Sequence, residues 1–558
     1  MKKLKYILIF FAVLGIILYF SFKSMVMDPP EIEDQSALKL EVETITDSLS
    51  FCGDSWLHKN HGGVYELMVS GTPFEMGVKN GKLTHKLGAD QEKYFFEFIK
   101  SLIPSERTLN YLKYFITIFN KDLDEYVPKD LLEEIYGISL FASEDFSFIG
   151  DPYHRTLNYH AAHDIGHTIQ NMNLVACTAF SVQDELTHDS SIYVGRNLDF
   201  SAGDNFAREK IVAFCKPYKG YKFAYITWAS MIGVLSGMNE HGLTISLNSA
   251  KSGIPFSAKT PVSLVSRQVL QYAKTIQEAF EIIERNETFV SESFFVSSAL
   301  DHKAVVIEKS LDKTAIYDSN KSCLALTNHF QSKELVNTEL NQESINESCS
   351  LYRLNRTYEL IEKKENIAYR DVVEVLRDKN GLKGKDIGLG NESALNQLIC
   401  HHGVVFNPKK LLMWVSQFPY QENGFLAYDL NEVFADSFDI KKQGACIDSL
   451  AVPASEFYKQ GGVDRYWDYK NQVKNILEGI SEKDKITVSD EDIQEIVSLN
   501  PDYYYSYYVQ GLYYKRKQDY NKALECLNKA LKYQIPRKVD KDQIIEVINE
   551  IRDSIDDK

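Results

Sequence analysis

The 558-residue chain lacks any excess of positive charge. Its 62 Lys and Arg are outnumbered by 78 Asp and Glu, giving a formal net charge of −16. Nucleic-acid binding needs a concentrated basic surface to neutralise phosphates, so no nucleic-acid partner is expected. An acidic surface mainly promotes solubility. Metal-type cysteine spacing is missing too. The eight cysteines, Cys52, Cys177, Cys215, Cys323, Cys349, Cys400, Cys446 and Cys526, include no C-x-x-C pair, which argues against a zinc site. In an oxidising compartment some could pair, Cys323 with Cys349 among them, but most read as small buried hydrophobes. Nor is this the composition of a disordered chain. Hydrophobic residues at 44% and charged residues at 25% fit a globular protein, and the length points to two or three folded units.

What is present begins at the N-terminus. Lys2, Lys3 and Lys5 precede an apolar run over residues 6–20, and Lys23 and Pro29-Pro30 follow it. A basic region before an apolar one reads as a signal anchor or signal peptide over residues 1–22. The basic flank stays in the cytoplasm. The expectation is therefore an exported body, held to the membrane by this single segment or secreted if the segment is removed. Residues 23–61 read as a tether, being acidic and polar over 24–50.

Beyond Gly62 the patterns become regular. A strand is expected over 64–69, and apolar residues at helical spacing over 74–87, 91–102 and 131–141. Near Cys177 the character changes to short strands separated by Gly, Asn, Asp or Lys turns, over 178–182, 191–194, 211–214, 223–228, 233–238 and 243–247. A helix is expected over 261–283, then strands over 294–298, 304–308 and 315–318. Helices follow over 351–363 and 369–377, and strands over 404–407, 410–415 and 424–429. Strand clusters alternating with helix clusters suggest sheets layered with helices and not a doubly wound parallel sheet. In the last hundred residues, Tyr507, Gly511, Tyr514, Ala523, Leu527 and Ala530 fall at tetratricopeptide spacing, and Pro536 closes the pattern. One such copy over about 503–536, with only a faint helix before it, reads as a cap on the preceding domain. Protein contact through these helices is the alternative.

The chemistry concentrates at Cys177-Thr178-Ala179-Phe180, followed by Gly195-Arg196-Asn197-Leu198-Asp199-Phe200. A thiol is nucleophilic as thiolate, and a nearby guanidinium such as Arg196 lowers its pKa. Asp199 could hold an ammonium group. These residues also have plainer readings: Cys177 as core, and Arg196 with Asp199 as a structural ion pair. His160, His163 and His167 could bind a metal or pack the segment before Cys177, and packing is favoured. His329, His401 and His402 read as structural.

The stretch resembles the N-terminal nucleophile hydrolases of the penicillin acyltransferase, bile salt hydrolase and acid ceramidase group. Ser236-Gly237-Met238-Asn239-Glu240-His241-Gly242-Leu243 running into Leu247-Asn248 is similar to their oxyanion segment. Leu326-Thr327-Asn328-His329, Ser350-Leu351-Tyr352-Arg353 and Gly71-Thr72-Pro73-Phe74-Glu75-Met76-Gly77 resemble further blocks, over roughly residues 62–450 in all. The resemblance implies an α+β fold of four layers, helices outside two antiparallel sheets. It also implies a pro-segment (62–176) and a catalytic domain (177–455), to which the tetratricopeptide-like spacing adds a C-terminal helical region (456–558). It further implies self-cleavage between Ala176 and Cys177, whose freed α-amino group then serves as base for the Cys177 thiol. Asn248 would supply the oxyanion donor and Asn328 would orient the α-amino group or add a donor. Arg353 would complete the charge network, with Arg356 on the same helix face as alternative. Asn248 and Asn328 also fit as turn residues. The implied substrate is a small acylated amine, hydrolysed or transferred without metal or cofactor. A ceramidase-like or N-acylethanolamine-like lipid amidase is the alternative, and a catalytically inactive, membrane-tethered binding protein the alternative of another class.

Overall fold

A computed structural model describes residues 27–103, 105–168, 175–200, 203–253, 255, 257–481 and 487–556. The strands before the hydrolase-like stretch are β1 (Val42–Thr46), β2 (Leu49–Cys52), β3 (Ser55–Lys59) and β4 (Tyr65–Gly71). Next come β5 (Val175–Asp184), β6 (Ser190–Phe200), β7 (Ile211–Pro217), β8 (Phe223–Thr227), β9 (Ser236–Asn239) and β10 (Leu243–Ser249). The remainder are β11 (Glu292–Ser298), β12 (Lys303–Lys309), β13 (Thr314–Tyr317), β14 (Cys323–Leu326), β15 (Cys400–Asn407), β16 (Leu412–Ser416) and β17 (Phe425–Asp429). The larger sheet runs β1-β2-β3-β4-β7-β8-β9-β10-β11-β12-β13, and the smaller β14-β5-β6-β15-β16-β17. Only β4 and β7 pair in parallel among the described strands, with Tyr65 opposite Ile211 and Gly71 opposite Pro217.

Side chains alternate along each strand, and that alternation sorts the core into layers. Val404 and Phe406 of β15 face the space between the sheets, beside Ala179, Met413 and Val415. There they meet Met68, Val212, Phe214 and Met238 of the larger sheet. Val405 and Trp414 point the other way, with Phe180, Val182 and Tyr193, against helical Leu354, Ile361, Val372 and Leu376. The outer face of the larger sheet buries Leu67, Val69, Ala213 and Ile245 under helical Leu83, Ile135, Leu157, Val265 and Leu270. The molecule is thus a two-sheet α+β sandwich covered by helices on both sides.

Several expectations change. The supposed tether contains β1, β2 and β3, which extend the larger sheet outward from β4. Val42 to Thr46 is exposed throughout, which made a strand hard to tell from a linker. The helical spacing expected over 74–87 and continuing over 91–102 is one helix, α1 (Pro73–Leu102), started by a capping box between Thr72 and Glu75. The single helix expected over 261–283 is two, α2 (Val262–Tyr272) and α3 (Ile276–Arg285). They divide where Thr275 caps the second by accepting from the Glu278 N–H. All eight cysteines are free, Cys323 and Cys349 included.

The membrane assignment is corrected as well. Crossing a bilayer takes about 20 consecutive apolar residues, and among the described residues no helix is long and apolar enough. The run assigned to anchoring lies outside the described residues. Membrane anchoring and the localisation built on it are withdrawn. So is protein contact through the C-terminal helices. Those helices, Gly462–Ser481, Asp490–Leu499, Tyr504–Arg516, Tyr520–Ala530 and Lys538–Asp556, turn their apolar faces into a core of their own. That core reaches Leu398 and Tyr420 of the sandwich.

Candidate active site

The β5–β6 hairpin positions the centre. Cys177 lies opposite Leu198, Ala176 opposite Asp199, and Ala179 opposite Arg196. Inward-facing positions of the hairpin therefore bring Cys177 and Arg196 together between the sheets. The outward-facing residues of the same motif hold the outer layer. Asn197 Nδ2 donates to the Leu376 and Leu395 carbonyls at 2.8 and 3.0 Å. A Cβ on Gly195 would come within 2.7 Å of the Val372 side chain, so glycine lets the covering helix approach. Half of the Gly-Arg-Asn-x-Asp block is thus scaffold.

Arg196 Nη2 donates to Cys177 Sγ at 3.3 Å and to the Leu247 carbonyl at 2.7 Å. The Cys177 backbone N–H donates to Asn328 Oδ1 at 3.1 Å. Arg353 Nη2 donates to that same oxygen at 2.7 Å, and its Nη1 reaches the Cys177 carbonyl at 2.6 Å and Thr178 Oγ1 at 3.1 Å. Asn328 is held in turn. Its Nδ2 donates to the Ser249 carbonyl and Oγ at 3.1 and 3.0 Å, and its N–H to Ser350 Oγ at 2.8 Å. Arg356 turns elsewhere, to Asp378 at 2.8 Å and Glu359 at 3.1 Å, so of the two arginines only Arg353 touches Cys177 and Asn328.

Asn248 is placed differently from expectation. Its Nδ2 donates to the Thr327 carbonyl at 3.0 Å, with the Leu326 carbonyl at 3.5 Å, while its Oδ1 is buried without a partner. These N–H bonds tie β10 to the end of β14.

Burial dominates the electrostatics. The Cys177 thiol is pushed up to about 11, first by burial and further by the Glu292 and Asp199 carboxyls, against the lowering by Arg196 and Arg353. The activation expected from Arg196 is thus outweighed. Asp199 is raised to about 7 by burial, opposed by Arg353 and Arg196. Neither of its oxygens makes a conventional hydrogen bond, so it forms no ion pair with Arg196.

Among the histidines, His160 accepts the Ile232 N–H at Nε2 at 3.0 Å, and its Nδ1 lies 2.8 Å from the Thr156 carbonyl, which makes it a packing residue. The side chains of His163 and His167 lie outside the described residues, and among those described no metal-holding group occurs. His329 lies 2.7 Å from Ser350 Oγ. His402, read as structural, instead touches Arg196 Nη1 through Nε2 at 3.3 Å. Sequence reasoning also passed over Ser249, Ser350 and Ser236 as support. Ser350 opens the Ser-x-x-Arg block, which was the available signal.

The family described as Acyl-coenzyme A:6-aminopenicillanic acid acyl-transferase matches residues 186–390. An uncharacterised protein of Archaeoglobus fulgidus is 26% identical over 274 residues, 46% of this chain and 45% of that protein. The N-acylethanolamine-hydrolyzing acid amidase of Caenorhabditis elegans is 27% identical over 221 residues, 37% of this chain and 59% of that protein. Protein dcd1B of Dictyostelium discoideum is 23% identical over 271 residues, 45% of this chain and 51% of that protein. The chain spans about half the length of the curated relatives it matches. Among solved structures, an N-acylethanolamine-hydrolyzing acid amidase ortholog of C. elegans aligns at 21% identity and TM-score 0.30, over 42% of this chain and 93% of that one. A conjugated bile acid hydrolase of Clostridium perfringens aligns at 15% identity and TM-score 0.32, over 46% and 92%. Over residues 186–390 the chain is thus similar to the acyl-coenzyme A:6-aminopenicillanic acid acyl-transferase family, and over 37–46% of its length to these curated relatives at 23–27% identity.

Proposed function

We propose that the chain is a self-processing cysteine hydrolase that cleaves or transfers the acyl group of a small N-acyl amide through Cys177. One observation carries this reading. The backbone nitrogen that cleavage would turn into an α-amine is already held by Asn328 Oδ1, which Arg353 holds in turn, while Arg196 holds the thiol of the same residue. In processing, Cys177 Sγ attacks the Ala176 carbonyl, the C–N bond breaks, and the nitrogen takes up the thiol proton. Water then hydrolyses the thioester, freeing the Ala176 carboxylate and the thiol.

The new α-amine, with an ordinary pKa of about 7.7–8.0, then accepts the thiol proton in each turnover. The thiolate attacks the substrate carbonyl, the amine leaves, and water or a second amine takes the acyl group. For Asn248 to stabilise the oxyanion, one amide proton must turn from the Leu326 and Thr327 carbonyls. Such a donor is typically worth about 2.7–4 kcal/mol. Asp199, near neutrality in its pKa, would hold the α-ammonium form. Residues 62–176 serve as a pro-segment that stays in place, which the pairing of β4 with β7 supports. The hairpin Tyr504–Arg516 and Tyr520–Ala530 serves as one tetratricopeptide-like repeat, with Gly511 against Leu527. A lipid-like N-acylethanolamine substrate is favoured by the name of the C. elegans relative.

The test is the intact mass and N-terminal sequence of purified protein beside Cys177→Ala. The expected outcome is a wild-type fragment beginning at Cys177 and an uncut variant. If both stay whole, the free-amine mechanism is wrong and the inactive binding protein takes its place.

A further inference from the structure

His401 and His402 stand side by side on β15, and the mechanism above gives them no task. His402 lies opposite Leu198, which lies opposite Cys177, so these three share one row across β15, β6 and β5. The register slips between Cys400 and His402, and His401 is the extra residue of that bulge. A bulge re-aims a side chain. Regular alternation would send the two imidazoles to opposite faces, yet their ring centroids are 5.2 Å apart.

Counting donors and acceptors then fixes both tautomers. A guanidinium only donates, so His402 Nε2, 3.3 Å from Arg196 Nη1, must accept. Ser236 Oγ approaches the same nitrogen at 2.9 Å. Neutral His402 therefore carries its proton on Nδ1, which lies 2.9 Å from His401 Nδ1 and donates to it. His401 is left with its proton on Nε2. Burial pushes both rings well below the usual histidine range, helped by Arg196 and Lys210, so neither gains a second proton.

That last N–H is buried and has no hydrogen-bond partner. A buried orphan donor calls for an explanation. It sits among aromatic rings, with Trp228 nearly perpendicular at 5.4 Å and Phe206 at 5.8 Å. Phe200 stacks on Trp228 at 6.0 Å. Phe200 and Trp228 are only half-buried and pack on the apolar cluster that contains Cys177 and Leu198. An apolar wall with one placed polar group is how small-molecule sites fix a ligand's orientation. A neutral donor in such surroundings pairs at least cost with a neutral oxygen, because a carboxylate would have to be desolvated there.

We propose that His401 is a specificity-determining residue whose Nε2–H donates to an uncharged oxygen on the leaving amine of the substrate, while the molecule lies along Phe200, Phe206 and Trp228. This rests on the amide-hydrolase reading. Apart from its scissile carbonyl, a simple N-acylethanolamine carries one oxygen, the ethanolamine hydroxyl. The histidine pair also steadies Arg196 against the thiol, but the substrate contact belongs to His401.

The test uses the full chain and two amides of equal length, N-palmitoylethanolamine and N-propylpalmitamide, with wild type and His401→Phe. Wild type is expected to prefer the hydroxyl-bearing amide in kcat/KM by about tenfold to a hundredfold. His401→Phe should bring the ratio close to one by losing more rate on the hydroxyl-bearing amide than on the other. Nitrogen-15 spectra of histidine-labelled protein should show His401 protonated at Nε2. The proposal is overturned by equal losses on both amides, by a ratio unchanged in His401→Phe, by wild-type cleavage without preference, or by an Nδ1–H tautomer at His401. If wild type cleaves neither amide and Cys177 is never acylated, the hydrolase reading itself falls, and this contact with it.

Discussion

Arg353 ties together three atoms that the proposed processing would need in register: the Cys177 carbonyl, Thr178 Oγ1 and Asn328 Oδ1. A planar fork can do this, and a lysine ammonium, being a point charge, cannot. Arg353→Lys is expected to slow appearance of the Cys177 N-terminus by about tenfold or more, followed by mass spectrometry over time. Arg356→Lys, which touches only Asp378 and Glu359, should process at the wild-type rate. Asp199 supplies a pH prediction. Its folded pKa, about 7, lies above the ordinary 3.8, so the folded state binds the proton more tightly than the unfolded one. Stability from this group is therefore complete below about pH 4 and is lost as pH rises through 7. Asp199→Asn removes that loss. Its stability should exceed wild type's by more at pH 8 than at pH 5, by on the order of 2–4 kcal/mol, read from melting temperatures at the two pH values. Equal melting shifts at both pH values would show that Asp199 does not titrate in this range.

At the scale of elements, the same alternation that made strands readable also divides the labour within them. Along β6, Arg196 serves the thiol while Gly195 and Asn197 serve the covering helix Tyr369–Leu376. The motif blocks were therefore legible as a set, although the task of each residue was not. Periodicity located α1 as two stretches, because Gly88 and Asp90 weaken the apolar stripe between a first half that is buried and a second half that is only partly so. The C-terminal helices were visible chiefly through one hairpin. Their grip on the sandwich was not, because it runs through a loop. Gly388, at φ +83°, packs against Tyr503, whose backbone a Cβ there would meet at 2.6 Å. Asn500 exchanges hydrogen bonds with Leu389 at 2.9 Å in both directions. Gly388→Ala combines a left-handed backbone with a steric clash and is expected to cost about 1–3 kcal/mol, read as a lower denaturant midpoint. An unchanged midpoint would mean that the loop and Tyr503 part easily.

At the scale of the whole molecule, residues on both sides of Cys177 build one sheet. Strands β1 to β4 form one end of it, and the parallel pairing of β4 with β7 runs over seven residues. If the chain is cut before Cys177, the two pieces should co-elute in native size-exclusion chromatography and separate only in denaturant. Separation without denaturant would mean that β4 and the helices packed on it do not hold. By itself, the sequence determined which residue types recur in which order. That order included a cysteine on a strand-forming run, the arginine and aspartate of the next strand, two asparagines, and an arginine at a helix start, and it was enough to show the resemblance that the family match over residues 186–390 supports. Local pattern carries that much because strand alternation and motif spacing are properties of neighbouring residues. Tertiary structure decided the rest. It brought Arg353 and not Arg356 against Cys177 and Asn328, tied Asn248 to the Thr327 carbonyl, and raised the Cys177 thiol when Arg196 alone would have lowered it. It also turned a supposed tether into three strands and set His401 beside His402 on a bulge. Each of these depends on burial or on contacts between residues far apart in the chain, and neither is written in any local window of sequence.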